Sequence, residues 1–292
     1  AIDQNAALTR VRTAVLLFIL MVSLVNYLDT QEKIKKIMEC YVISGFITSV
    51  YIFIISDFSE ITRFGYQISN VNTIGIILGF SSVFGLYFIL EEKKIFLIPF
   101  LILNLVMILL TGSRKALIFA GFTILFLLFS KRKAKIGNTV KVLFIGFLII
   151  FAGYYMIKNV PIFYQIIGIR MENLLSFITG GEAAERSVYT RYYMMQVGYD
   201  WFKERPLTGY GLNNYRFLFA SVSEGRETYA HNNIIELLVG IGIFGTIFYY
   251  IAQLVVIKSI YNASKIISKT LCYSFLAITL GYLFMSVGMV YY

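Results

Sequence analysis

His231 is the only histidine in the chain, and it opens His231-Asn232-Asn233 where a long polar stretch gives way to an apolar helix. An imidazole titrates near neutral pH, so one placed at a water boundary can take the proton of a hydroxyl that attacks an electrophile. The same placement also suits a histidine that only caps a helix or makes a hydrogen bond. The arginines bring a second kind of chemistry. Arg63 and Arg114 lie in separate short turns, while Arg186 and Arg191 start a helix within the polar stretch. Folded together they would surround one anion, because guanidinium forks match phosphate oxygens, and such a cluster at a membrane surface suits a lipid phosphate or diphosphate. The plainer reading of each arginine is that it snorkels to headgroups or pairs with Asp57, Glu60, Glu182 or Glu185. Gly209-Tyr210-Gly211 permits tight turns and close approach of a ligand, but without a preceding strand or a third glycine it is not a dinucleotide fingerprint. One histidine, no paired cysteines and no Asp-x-Asp leave no ligand set for zinc or magnesium, so any reaction is expected to run without metal or cofactor.

The elements that must hold these residues are membrane helices. Hydrophobic residues make up 58% of the chain, mean hydropathy is +0.74, and apolar runs recur between short charged clusters. The pattern predicts an all-α, polytopic transmembrane protein with spans at 11–28, 37–56, 71–90, 95–110, 116–130, 140–157, 233–257 and 270–290. The two shortest flank Thr111-Gly112-Ser113-Arg114-Lys115 and must thin the bilayer or rely on snorkelling, which draws Arg114 toward the membrane interior. Lys33, Lys35 and Lys36, then Lys93 and Lys94, then Lys131, Arg132, Lys133 and Lys135, then Lys258, Lys265 and Lys269 occupy alternate short loops, which the positive-inside rule makes cytoplasmic. Residues 57–70, the turn at 111–115, and 158–232 then face outward, with His231 among them. The net charge of +10 therefore sets topology and leaves no basic domain to grip nucleic acid.

Three regions follow: a membrane domain over 1–157, a large extracytoplasmic loop over 158–232 that carries the site, and a second membrane segment over 233–292. The loop is rich in aromatics and poor in proline, which marks a folded cap rather than a linker. Within it Val188, Tyr192, Met195, Tyr199 and Phe202 recur at helical spacing and predict an amphipathic helix resting on that stripe, ending at Arg205-Pro206. Tyr189, Tyr193, Trp201, Tyr210, Tyr215 and Tyr229 suit sugar stacking, an interfacial belt or a core equally by type. Cys40 and Cys272 fall near cytoplasmic helix ends, where no disulfide is implied. The chain has no initiator methionine and stops just after an apolar run, so it reads as incomplete at both ends.

Four stretches in this order resemble the O-antigen polymerase and ligase superfamily of bacterial surface-polysaccharide assembly. They are Arg63-Phe64-Gly65 with Asn70-Val71-Asn72-Thr73-Ile74-Gly75, where valine stands in place of the family's proline; Thr111-Gly112-Ser113-Arg114; Arg191 through Trp201 to Arg205-Pro206-Leu207-Thr208-Gly209-Tyr210-Gly211; and His231-Asn232-Asn233-Ile234-Ile235-Glu236 running on to Gly240-Ile241-Gly242-Ile243-Phe244-Gly245. The resemblance covers roughly 60–290. It implies a multi-pass protein of the bacterial inner (cytoplasmic) membrane that acts on the extracytoplasmic face. The substrate it implies is a glycan carried on undecaprenyl diphosphate, transferred to an acceptor hydroxyl without nucleotide or metal and with inversion. His231 and Arg191 are then the expected catalytic residues, with Arg63, Arg114, Arg186, Gly209 and Gly211 on the diphosphate or substrate, and Asn232 and Glu236 in support, Glu236 holding Asn232 by a hydrogen bond. For Asn232 and Glu236, capping and dipole matching explain the residues equally well.

A repeat-unit polymerase for O-antigen, capsule or exopolysaccharide is the leading reading. Its partners are a lipid-linked oligosaccharide donor and acceptor and membrane lipid, with a chain-length regulator and a flippase as further protein partners implied by the family. A ligase that transfers the glycan to lipid A core has the same motifs. A lipid-linked oligosaccharide carrier or flippase is the alternative of another class; bare helix interiors, with the charges gathered in the outer loops, argue for surface chemistry instead. A non-catalytic assembly partner that binds glycolipid stays open.

Overall fold

The structure, a computed structural model, describes residues 3–57, 63–130, 136–179 and 186–290. The regular elements among them are helices: α1 (Gln4–Tyr27), α2 (Gln31–Ile55), α3 (Val71–Glu91), a short 3-10 turn (Ile95–Leu97) leading into α4 (Ile98–Leu110), α5 (Arg114–Ser130), α6 (Ile136–Asn159), α7 (Pro161–Phe163) running through a π-turn into α8 (Ile169–Ile178), α9 (Arg186–Glu204), α10 (Tyr215–Val222), α11 (Asn233–Ala263) and α12 (Lys269–Met285). A helix stands at each of the eight expected spans. Four of them, α1 from Ala7, α2, α3 and α11, are long and apolar enough to cross a membrane by themselves, while Ile95–Leu110 and α12 are shorter apolar helices. The chain divides into two compact units: a bundle unit (Ile34–Ala183 and Ser259–Tyr282) and a cap unit (Ala1–Lys33, Ala184–Lys258 and Leu283–Tyr292).

α3 is the axis of the bundle unit, buried along most of its length from Val71 to Phe88. Lipid offers no hydrophobic drive for helices to associate, so close packing and interhelical hydrogen bonds must hold them. Both are present. A methyl group on Gly75 would come within 2.5 Å of Ala116 Cβ, and one on Gly79 or Gly281 within 2.8 or 2.7 Å of the Phe119 ring. Ser49 Oγ donates to Asn104 Oδ1 at 2.7 Å and Asn104 Nδ2 donates to Ser81 Oγ at 2.9 Å, tying α2, α4 and α3 through one buried amide. α6 ends at Asn159 and Val160 turns extended, as the residue before a proline prefers; the chain then bends by 97° into α7 and α8. α7 and α8, within the expected outer segment 158–232, belong to the bundle unit.

In the cap unit α9 is helical as expected but rests on a different face. The buried positions are Met194 and Gly198, with Val197, Trp201 and Phe202 packed against the core, while Tyr192 and Tyr199 are each 51% exposed. Val188 lies outside the residues whose side chains are described. The periodicity was ambiguous because α9 carries aromatics around much of its circumference. Gly198 decides the face: a Cβ there would sit 2.4 Å from Ile235 Cγ2 and 3.0 Å from the Tyr215 ring, so only the glycine side can approach α11 and α10 this closely.

α11 is the element that departs most from its sequence reading. Gly242 has φ 66° and ψ −172°, a conformation open to glycine almost alone, and it breaks the helix into two arms, 233–241 and 243–263. Asn233 and Tyr250 are 17 residues apart, which a straight helix would separate by about 25 Å; yet Asn233 Nδ2 lies 3.5 Å from the Tyr250 hydroxyl, so the chain doubles back at Gly242. The first arm is only about 13 Å long and cannot cross a bilayer. The span expected at 233–257 therefore begins at 243.

The segment after α9 takes over the hydrogen bonds that the break releases. Ile243 N–H would have donated to Val239 C=O; instead it donates to Pro206 C=O at 2.8 Å, and Val239 C=O accepts Tyr210 N–H at 2.7 Å. Gly240 C=O in turn accepts Gly211 N–H at 2.8 Å. A Cβ on Gly242 would meet Leu207 O at 2.2 Å, and one on Gly209 would meet Val239 O at 2.5 Å. Gly242→Ala is accordingly expected to destabilise the protein by at least about 1–3 kcal/mol from backbone strain alone, lowering its thermal unfolding midpoint in detergent. Gly121→Ala, where an added Cβ meets open space, is the control; equal midpoints for the two variants would disprove this account of the break.

Candidate functional site

The site in the cap unit is built on the turn into α11. Asn232 Oδ1 caps the helix, accepting Ile234 N–H at 2.9 Å and Ile235 N–H at 3.2 Å. Glu236 reaches back and accepts Ala230 N–H at 2.6 Å, so the turn is fastened from both sides in the manner of a capping box. Asn233 N–H donates to Ser286 C=O at 2.8 Å, fixing the start of the helix to the end of the chain. Between these anchors His231 adopts φ 55°, a left-handed conformation that costs an ordinary residue on the order of 1–2 kcal/mol. Such strain persists only where the surroundings over-determine it, and here hydrogen bonds on both sides do so. Ala230 points inward with no exposure, while His231 and Tyr229 flank it and remain partly accessible. Their rings meet at 4.1 Å between centroids, tilted by 45°.

α9 supplies the charge. Asn232 Nδ2 donates to Met195 Sδ at 3.4 Å, which places the Arg191–Met195 edge of α9 against the turn, since residues four apart share a helix face. The Arg191 guanidinium acts electrostatically on Tyr229. Among the described residues Arg191 has no ion-pair partner. Burial pushes the Tyr229 phenol above its ordinary range, opposed by the Arg191 charge and reinforced by Glu236. The phenol therefore stays protonated at neutral pH and does not compete for Arg191 as an anion. What the arrangement offers is one imidazole on a clamped turn, in ring contact with Tyr229, with the Arg191 charge close enough to act on that tyrosine.

The expected contact of Glu236 with the Asn232 side chain is not made. The Asn232 amide is engaged by the helix start and by Met195, and Glu236 serves the backbone of Ala230 instead. Gly209 and Gly211, expected near substrate, lie against the broken helix, where Gly211 N–H is engaged by Gly240 and the Gly209 Cα faces the Val239 carbonyl. The aromatics now separate by burial. Trp201, Tyr210 and Tyr215 belong to the cap core, with the Tyr215 hydroxyl donating to Met194 C=O at 2.6 Å, whereas Tyr189, Tyr193 and Tyr229 are exposed. Arg186 starts α9, and its side chain lies outside the described residues, as do Glu60, Glu182 and Glu185.

The other two arginines lie in the bundle unit and are described within it. Arg63 Nε donates to Thr111 C=O at 2.7 Å, and Phe64 N–H donates to Leu110 C=O at 3.0 Å, which joins the first motif to the second. Asn72 Oδ1 accepts the Ser113 hydroxyl at 2.7 Å and is 3.4 Å from the Arg63 guanidinium. Gly112, at φ 59°, leaves no room for a side chain: a Cβ there would lie 2.9 Å from Ile166 O and 3.4 Å from Arg63 Nε. Arg114 donates to Arg170 C=O at 2.7 Å. Both arginines thus hold backbone carbonyls of neighbouring segments, contacts that shape the turn as well as set its charge. Asn72, Ser113 and Tyr229 were not singled out as site residues from the sequence. The first two stood inside a recognised motif, while Tyr229 was one of six cap aromatics whose type alone did not separate sugar stacking, belt and core.

Fold and site together define a polytopic helical membrane protein whose cap unit holds the chain's single histidine and Arg191, an arginine with no carboxylate partner among the described residues. A sequence model of the family described as O-antigen ligase matches residues 99–250, and the chain belongs to that family. The match includes Thr111–Arg114, Arg191, the Pro206–Gly211 segment, His231 and the break at Gly242, and leaves Arg63 and Asn72 outside it. No curated protein matches the chain. Glu236→Ala strips a buried N–H of its acceptor and should lower stability by about 1–3 kcal/mol, whereas Glu236→Gln keeps an acceptor oxygen and should retain most of it. Thermal unfolding of the two variants beside the parent checks this; equal losses would mean that the charge rather than the cap matters.

Proposed function

We propose that this protein is a membrane glycosyltransferase that polymerises undecaprenyl-diphosphate-linked oligosaccharide repeat units into surface polysaccharide on the outer face of the bacterial inner membrane. The observation that carries the reading is a half-buried arginine, without a carboxylate partner among the described residues, whose charge acts on Tyr229, the tyrosine in ring contact with the only histidine of the chain. Membership of a family described by O-antigen ligase activity supports it. The polymerase is preferred to the ligase because the Lys, Ile, Phe and Tyr richness suits a low-GC genome, and a polymerase serves cells with or without lipid A.

The acceptor hydroxyl oxygen bonds to the anomeric carbon of the donor sugar, and the bond from that carbon to the diphosphate oxygen breaks, with its electron pair passing to the diphosphate. His231 takes the hydroxyl proton. Arg191 meets the charge that grows on the leaving diphosphate, where a fixed cation in a water-poor site stabilises the transition state more than the ground state. Arg63 and Arg114, in the bundle unit, each brace their own turn by holding a neighbouring carbonyl. Direct displacement inverts the anomeric centre, and no metal is assigned a part.

The test is elongation of purified lipid-linked repeat units in nanodiscs with chelator present. The parent should yield a ladder of lengthened glycans; Arg191→Ala is expected to be slower by roughly a hundredfold, about 3 kcal/mol of lost charge stabilisation, and His231→Ala to be slower by at least as much. Transfer only when lipid A core is added would establish a ligase. A ladder that survives both substitutions would overturn the site, and no product with either acceptor would favour the carrier.

A further inference from the structure

α9 carries more aromatic side chains than the cap core takes up. Its core side is occupied by Met194, Gly198 and Trp201, which pack toward Tyr215, Val239 and Ile235. On the far side Tyr189, Tyr192, Gln196, Tyr199 and Lys203 follow one another at spacings of three, four, three and four, and each is exposed. That spacing makes one stripe, about 21 Å long. Its end at Tyr199 is ordered: Lys203 Nζ lies 4.5 Å from the Tyr199 ring centroid and pairs with Asp200 at 2.9 Å. Met195 joins the stripe to the site, since it stands four residues after Arg191, four before Tyr199 and three after Tyr192, and it meets the Asn232 amide.

Membrane lipid fits this stripe badly. An interfacial helix lays an apolar face of Trp, Phe and Leu among the acyl chains, and the apolar face of α9 is already taken up by the cap core. The stripe instead interleaves its rings with an amide and an ion pair, groups that are costly to carry into hydrocarbon. A sugar matches it, because a pyranose has an apolar C–H face and a rim of hydroxyls. Tyrosine offers a large, rigid, amphipathic surface at low cost in side-chain entropy, and Gln196, Asp200 and Lys203 supply both donors and acceptors for the hydroxyls. From this geometry we infer that the exposed stripe of α9, centred on Tyr192, Gln196 and Tyr199, binds the oligosaccharide of the lipid-linked substrate, its sugar rings lying on the tyrosines. The inference rests on the glycosyl-transfer reading for the identity of the glycan, and on the stripe alone for the binding.

The probe is the oligosaccharide freed by mild acid from the lipid-linked repeat unit, titrated against the protein in nanodiscs by saturation-transfer NMR, which needs no turnover. The parent should bind it. The pair Tyr192→Ala and Tyr199→Ala should bind about tenfold more weakly, the loss of two ring contacts, whereas the pair Tyr192→Phe and Tyr199→Phe should bind like the parent. No binding by the parent, or equal binding by the parent and the alanine pair, would overturn the inference. In the elongation assay the alanine pair should raise KM with kcat kept, and its ladder should stop at fewer units; an unchanged KM and ladder would overturn the inference as well. A ladder shortened in cells but not with purified components would assign the stripe to a protein partner, and failure of the alanine pair to enter nanodiscs would assign it to lipid; either result overturns the inference. No ladder from the parent, with glycan binding lost in the alanine pair, would overturn the glycosyl-transfer reading and leave the inference standing. Thermal unfolding should give the parent midpoint for both pairs, since neither ring belongs to the cap core. If the alanine pair does not fold, Tyr192→Gln with Tyr199→Gln takes its place with the same expected outcomes.

Discussion

The rest of the cap depends on one exchange of backbone hydrogen bonds. Where α11 breaks at Gly242, the carbonyls of Val239 and Gly240 and the amide of Ile243 lose their helical partners, and the segment from Pro206 to Gly211 supplies replacements. An unsatisfied backbone group in a low-dielectric setting costs several kcal/mol, so a broken helix at a membrane is tolerated only where other protein groups complete it. The exchange requires backbone to approach backbone, and side chains forbid that. Gly209 and Gly242 are the positions where a Cβ would strike the opposing main chain. Two glycine-rich motifs separated by about thirty residues are thus the two halves of one contact.

The break also decides where the chemistry stands. By doubling back, the first arm of α11 carries its own start to Tyr250 and Ser286, and the turn bearing His231 is set there, tied on both sides. Its anchors are main-chain bonds together with the Asn232 and Glu236 caps. The separation of tasks is electrostatic as well. The Glu236 carboxylate is committed to an N–H at the helix start, where the dipole favours it, and it forms no ion pair with Arg191 among the described residues. A diphosphate would therefore meet a guanidinium that no described carboxylate neutralises. In the bundle unit the same economy appears differently: Arg63 and Arg114 each bind a carbonyl of a neighbouring segment, so their charges stay in place by covalent reach and hydrogen bonding together.

The composition, the spacing of apolar runs and the order of the motifs were enough to read an all-helical membrane protein of this family, since hydropathy and short motifs are properties of local sequence. Each expected span has its helix, and Asn232 was legible as a cap because capping involves residues two and three positions away. The face on which α9 rests was not legible, as aromatics line most of its circumference and the choice falls to a glycine whose value depends on what approaches it. What Gly209 and Gly211 approach within the chain was not legible for the same reason: a glycine permits a close approach, and the sequence does not say which stretch of chain comes near.

The sequence by itself thus determined the solvent in which the chain folds, the helices it forms and the residue types available for chemistry, because these follow from hydrophobicity and from interactions within a turn or two of helix. Only the tertiary structure decided that α11 folds back at Gly242, that Tyr229 bears on His231, that the Arg191 charge reaches Tyr229 and that Arg63 clasps the turn at Thr111. Those pairings join residues far apart in the chain or hinge on a left-handed backbone that nothing local demands, and they exist because buried polar groups had to find partners somewhere in the fold.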